Sequence, residues 1–180
     1  MSENDWRENL VRRYPDLFVL RQGAKADEAR GYPTVGDGWR ELVEKAVERI
    51  AAALPAGSNF RVVQIKEKLA TLRIHFRASD LADDALARLR DAIDLAEARS
   101  ACTCEVCGAE GRPYDNDGWY LTRCKAHAEG EPVPACAGYE NLFIERTLVD
   151  GKLRVARCRR YDRAHDVFVD APLPPDFEEE

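Results

Sequence analysis

The chain has 180 residues, a net charge of −6 and a pI near 5.3, enough length for one sizeable core or for a core plus a satellite that needs help to fold. The acidic balance argues against wholesale charge-driven attachment to nucleic acid or anionic membrane and leaves room only for a local basic face. No run approaches the roughly 18 apolar residues of a membrane span, and the opening MSENDWRENL lacks the basic start and apolar stretch of a signal peptide, so a cytoplasmic protein without a membrane partner is expected.

Residues 5–20 place Trp6, Leu10, Val11, Tyr14 and Leu17 at spacings of three and four, which predicts a short helix ending near Pro15. A polar connection follows over residues 21–33, with Gly23, Gly31 and Pro33. Asp37 is then placed to cap the best-patterned helix in the chain, with Trp39, Leu42, Val43, Ala46, Val47, Ile50 and Leu54 on one face. After Leu54-Pro55-Ala56-Gly57 the period changes to two. Phe60 and Val62, then Leu72, Ile74 and Phe76, predict two strands and a hairpin. Its turn, near residues 66–70, lacks the Asn-Gly or Asp-Gly of a two-residue connection, so the register stays open. Ser79 or Asp80 caps a second long helix carrying Ala82, Leu86, Leu89, Ile93 and Ala96.

Four residues in two pairs, Cys104/Cys107 and Cys124/His127, each with two residues between its members, have the spacing of a structural zinc site. Gly108 favours a tight knuckle after the first pair. The stretch Asp115-Asn116-Asp117-Gly118 followed by Trp119-Tyr120-Leu121-Thr122 reads as a turn entering a strand that delivers Cys124. Two complete pairs fill a tetrahedron, which predicts one structural Zn2+ per chain and no catalytic residue. Three alternatives remain: Cys102 or Cys136 replaces one ligand, Cys104 and Cys107 form a redox dithiol, or Asp115 and Asp117 hold a hard cation. In a reducing compartment, six cysteines are ligands or buried thiols rather than disulfides.

A proline-containing linker leads to residues 141–149 and 152–161, which flank Asp150-Gly151, the strongest short hairpin signal in the chain. A further strand over residues 166–170 would complete a meander. Residues 139–165 carry a local charge of +3, leaving −9 for the remainder. Arg154, Arg157, Arg159, Arg160 and Arg163 therefore form a candidate binding surface for phosphates or a carboxylate-rich partner, set against the plainer reading of a solvated edge protected by charge. Arg73, His75 and Arg77, with Lys66 and Lys68, form a second basic stripe, or simply the wet side of a two-layer sheet. His75 and His165 read as surface residues, and no phosphate-loop, hydrolase or dinucleotide motif is present.

The run GDGW at Gly36 to Trp39, QIKEKLATLRIHF at Gln64 to Phe76, and the CEVCG and CKAH pairs together resemble uncharacterised proteins of phages and bacterial genomes. Those proteins combine a GDGW helix, a QVKEKFGTLRF-like hairpin and a trailing zinc finger. The resemblance implies a phage-related setting rather than a reaction, and Ala70 stands where it implies glycine.

The expected fold is α+β: a helix-hairpin-helix core layer, a treble-clef or ribbon-like zinc finger and a C-terminal antiparallel β-meander. The expected division is a core over residues 1–100, a finger over 101–128, a linker over 129–138, a meander over 139–171 and an acidic tail over 172–180. The expected function is non-enzymatic protein–protein interaction of adaptor, inhibitor or immunity type. A nucleic-acid-binding accessory protein using the arginine-rich meander is the main alternative, and an enzyme the third.

Overall fold

The structure, a computed structural model, describes residues 5–20, 22–175 and 177. The chain is mixed α+β, with four α-helices and three small sheets among the described residues. The glutamates ending the acidic tail lie outside the described residues.

Helix α1 (Trp6–Arg13) starts where the Asp5 carboxylate accepts the Arg7 N–H at 3.1 Å. Tyr14 intervenes, and Pro15 opens a second short helix, α2 (Pro15–Phe18), because a proline at the first helical position gives up an N–H that would be unpaired anyway. Strand β1 (Pro33–Thr34) leads to a 3₁₀ turn over Asp37–Trp39 and then α3 (Arg40–Ala53). Asp37 does not cap this helix. Its carboxylate instead accepts the indole N–H of Trp6 at 2.9 Å and pairs with Arg7 at 2.8 Å. Those bonds, Trp6 first, hold Asp37 below the usual carboxylate range.

Strands β2 (Asn59–Lys68) and β3 (Thr71–Ser79) pair antiparallel, with β1 parallel on the outer side of β2. The register that the sequence left open runs Lys68↔Thr71, so Leu69 and Ala70 alone make the turn, both at positive φ (54° and 64°). That is the two-residue geometry normally given to Asn-Gly, here adopted by two residues that carry a Cβ. A bulge between Val62 and Gln64 shifts the ladder by one residue.

Helix α4 (Asp83–Ala101) begins three residues after the expected cap. Asp80 sits at φ 60°, outside any helix, and Ala82 is the uncapped N-cap position. Its buried stripe, Ala85, Leu89, Ala92, Ala96 and Ser100, is mostly small, which lets the helix lie close on α3 and β3. Trp39, Phe18, Ile50, Ile65, Leu72, Leu89, Val43 and Val62 fill the space between, each worth roughly 1.5–3 kcal/mol of transfer free energy.

A second sheet has order β5-β4-β6, from β4 (Arg112–Asn116), β5 (Trp119–Arg123) and β6 (Glu131–Pro132). Glu131 and Pro132, within the expected linker, pair with Asp115 and Tyr114. The third sheet joins β7 (Leu142–Val149), β8 (Lys152–Asp162) and β9 (Val167–Asp170), antiparallel in chain order. Asp150 and Gly151 make its first turn at φ 50° and 76°. Two anchors hold this sheet to the helices. Asp166 receives Arg49 at 2.8 Å and Arg99 at 3.5 Å, while its other oxygen accepts the buried Tyr161 hydroxyl at 2.8 Å. Arg159, from β8, reaches α4.

Candidate metal centre

Helix α4 ends at Ala101, and the next ten residues fold into a knuckle. The Cys104 N–H donates to Ala109 O and the Gly108 N–H to Cys104 O, both at 2.8 Å, with Gly108 at φ 76°. The β4–β5 hairpin then turns on Asp117 and Gly118, at φ 52° and 86°. The Asp115 carboxylate accepts the Gly118 N–H at 2.7 Å, which accounts for the Asp-Asn-Asp-Gly turn without a cation. Strand β5 delivers Cys124, and one further turn, closed by the His127 N–H on Cys124 O at 3.0 Å, delivers His127.

One ligand atom from each of Cys104, Cys107, Cys124 and His127 lies within 4.8 Å of all the others. The separations are 3.7 Å for Cys107 Sγ to Cys124 Sγ, 3.7 Å for Cys104 Sγ to His127 Nδ1 and 3.3 Å for Cys124 Sγ to the same nitrogen. A tetrahedron with Zn–S about 2.3 Å and Zn–N about 2.0–2.1 Å has S···S edges of about 3.8 Å and S···N edges of about 3.6 Å. The cluster has the size of such a shell, and its sulfurs are too far apart for a disulfide. Burial alone would push the Cys104 thiol up. The backbone N–H groups of Cys124, Cys107 and Val106, aimed at its sulfur, outweigh burial and bring it down to about 6. At Cys107 the Ala109 N–H favours the thiolate, but desolvation and the neighbouring thiols of Cys104 and Cys124 hold it up.

Cys102 and Cys136 are not in this cluster. Cys102 is buried at the end of α4, donating to Arg99 O at 3.3 Å, and Cys136 is exposed.

The knuckle rests on the core through the GDGW run. The Gly38 N–H donates to Glu105 O at 2.8 Å, the Gly36 N–H to the Glu105 carboxylate at 3.0 Å, and the Trp39 indole to Thr103 O at 2.7 Å. A Cβ on Gly38 would overlap Cys104 O, Gly108 N and Cys107 N, so only glycine allows the two backbones this close. Glu105 is also paired with Arg123 at 3.0 Å. The Thr122 hydroxyl donates to Ala70 O at 2.6 Å, which ties β5 to the β2–β3 turn. Sequence reading gave Asp37 a capping role and missed this docking. The available signal was two glycines flanking one residue just before a tryptophan.

The arginines of β8 and its turn divide by environment. Arg159 leaves the expected surface: it is 3 % exposed. It pairs with Asp91 at 2.8 Å, Asp94 at 3.3 Å and Glu145, under the ring of Phe168 at 4.0 Å. The physical reason is register, since residue 159 alternates onto the face of β8 turned toward α4. Its Nε is the buried side-chain nitrogen or oxygen without a hydrogen-bond partner among the described residues. The three carboxylates converge at metal-ligand spacing, but a guanidinium fills their centre. Burial first, then the Glu145 charge, pushes Asp94 up to about 6, with Arg159 opposing. Arg157 lies 3.9 Å from Asp91, Arg160 4.0 Å from Glu140 and Arg163 3.8 Å from Glu110. Arg154 is exposed. His165 bonds Asp162 at 2.6 Å in the β8–β9 turn, and His75 is exposed on β3. No described helix is long and apolar enough to cross a membrane. No protein-family model, curated protein or solved structure matches this chain.

Proposed function

We propose that the four donors hold one structural zinc ion and that the protein acts, without catalysing a reaction, as a binding module for another protein. Three thiolates and one imidazole are a borderline-soft set suited to zinc. With all four positions taken, the ion would cross-link the chain and leave no vacancy for water. In this reading α3, the β2–β3 hairpin and α4 form a helix-hairpin-helix layer, residues 102–132 form a ribbon-like finger, and β7 to β9 form a meander.

The observation that carries the interaction reading is Trp119. It is 76 % exposed at the tip of the hairpin that leads into Cys124, beside the exposed Tyr120. Tryptophan and tyrosine on a rigid support are the residues that most often dominate protein interfaces, and the two ends of this hairpin are pinned by the knuckle and by β6. The net charge of −6 favours a protein as partner, and the resemblance to phage and bacterial-genome proteins implies a setting in which adaptor, inhibitor and immunity roles are all admissible. The internal pairing of Arg159, Arg157, Arg160 and Arg163 weakens the alternative of nucleic-acid binding through the meander.

The test is affinity capture from the native host with zinc-loaded wild type and with Trp119→Ala, followed by direct binding of the recovered protein. The reading expects a stoichiometric partner whose affinity falls at least about tenfold in the variant, as for a tryptophan hot spot, while zinc content stays unchanged. Equal affinity for both proteins would refute it.

A further inference from the structure

The β2–β3 hairpin concentrates positive charge on one face. Residues 59–79 hold five basic residues and one acidic residue, a local +4 that leaves −10 for the rest of the chain. The register turns the basic side chains to one face. Phe60, Val62, Ile65, Leu72 and Ile74 point into the core, and the outward rungs are Asn59↔Ser79, Arg61↔Arg77, Gln64↔His75, Lys66↔Arg73 and Lys68↔Thr71. Two of the five rungs set like charges directly opposite each other, an arrangement that destabilises a sheet. A merely solvated face reaches solubility more cheaply with mixed signs.

The hairpin's own acid does not relieve this. Glu67 turns to accept the Ala70 N–H at 2.7 Å. Arg73 pairs with Glu97 of α4, and Arg61 shares a cleft with Glu28 and Arg30. Among the described residues no carboxylate is within ion-pair distance of Arg61, Lys66, Lys68 or Arg77, whereas Arg157, Arg159, Arg160 and Arg163 of the C-terminal sheet all have one.

We infer that this outward face binds single-stranded nucleic acid, its cations contacting successive phosphates and the Gln64–His75 rung between them meeting a base. Side chains at alternate positions of a strand repeat every 6.8 Å or so, a spacing comparable with that of neighbouring phosphates on an extended strand. Gln64 offers both an amide donor and an acceptor, and the exposed His75 offers a ring on which a base can stack. A single strand presents the Watson–Crick edges that such a rung can read; a duplex hides them. Trp119 belongs to a different sheet.

The experiment uses full-length, zinc-loaded protein and a labelled oligo-dT of about 20 nucleotides, followed by fluorescence anisotropy across a salt series. Four free cations predict that log K falls with log salt at a slope of about −3, taking about 0.7 per phosphate contact on a single strand. Lys66→Gln combined with Arg77→Gln should flatten that slope by about 1.4 and lower affinity at least tenfold at low salt. Lys66→Arg should retain binding, and so should Arg154→Gln combined with Arg157→Gln. Trp119→Ala should leave the oligonucleotide untouched, so this inference and the protein-partner reading fail separately. Absence of binding at low salt overturns the inference. So does a loss no larger in the hairpin variant than in the meander variant at matched zinc content and circular dichroism, or tighter binding of the same sequence as a duplex.

Discussion

Arg159→Ala tests how the C-terminal sheet is attached. The guanidinium that the substitution removes is 3 % exposed and serves three carboxylates on two elements, Asp91 and Asp94 from α4 and Glu145 from β7. Breaking a fully buried ion pair from one side costs about 3–5 kcal/mol, because the other charge is left stranded. Here the side chains of Asp91, Asp94 and Glu145 keep 50 %, 24 % and 29 % exposure, so they regain water and the cost moves to the lower end. Loss of the stacking on Phe168 at 4.0 Å adds about 0.5–2 kcal/mol. The net expectation is about 3.5–5 kcal/mol, a large share of the roughly 5–15 kcal/mol of an ordinary domain. Urea unfolding of the zinc-loaded protein, with hydrogen exchange resolved along β7 to β9, measures it. The midpoint should fall and the amides of β8 should lose protection before those of β2 and β3. A change below about 0.5 kcal/mol, the ordinary scatter of a surface substitution, with β8 protection intact, would refute the clamp.

The same cluster sets a pH dependence. Asp94 is raised to about 6 in the folded chain, so its stabilising contribution is present below the unfolded carboxylate pKa of about 4 and is lost as pH rises through 6. Asp94→Asn should remove that component, making its stability relative to wild type more favourable at pH 8 than at pH 5; parallel curves would contradict the shift. Gly38→Ala should cost at least about 2–3 kcal/mol by overpacking and weaken metal retention, because its Cβ has no room against the knuckle; wild-type urea midpoint and metal content would show the contact to be dispensable. Ala70→Gly should change stability by under about 1 kcal/mol, since relief of the positive φ offsets the lost methyl and the greater freedom of the unfolded glycine. A destabilisation well beyond that would mean the turn is not left-handed at residue 70.

The α+β class was legible because the apolar period changes from 3.6 to 2 after Pro55, and the Asp150-Gly151 turn was legible because its chemistry admits one geometry. Helix starts were less so. Asp37 and Asp80 are both suitable caps by type, but Asp37 is claimed by Trp6 and Arg7 across 30 residues or more of chain, and Asp80 adopts a turn conformation instead. The β2–β3 register was hidden because a Leu-Ala turn carries no signal, and it becomes determinate only when the hairpin packs on α4 and on Thr122. Spacing alone grouped Cys104, Cys107, Cys124 and His127, since both pairs are local. Spacing could not show that the knuckle lies on Gly36 and Gly38, whose N–H groups bond the Glu105 carboxylate and carbonyl nearly 70 residues away. It also could not separate Arg159 from its neighbours, because the direction of a strand's side chains is decided by what the strand packs against.

Elemental analysis of purified protein, wild type beside Cys104→Ala and Cys124→Ala, bears most directly on the four-donor centre. The account predicts one zinc per wild-type chain and substantially less in each variant, because removing a ligand opens a shell that only the complete set closes. Wild-type protein free of zinc, or zinc retained in full by both variants, would contradict it.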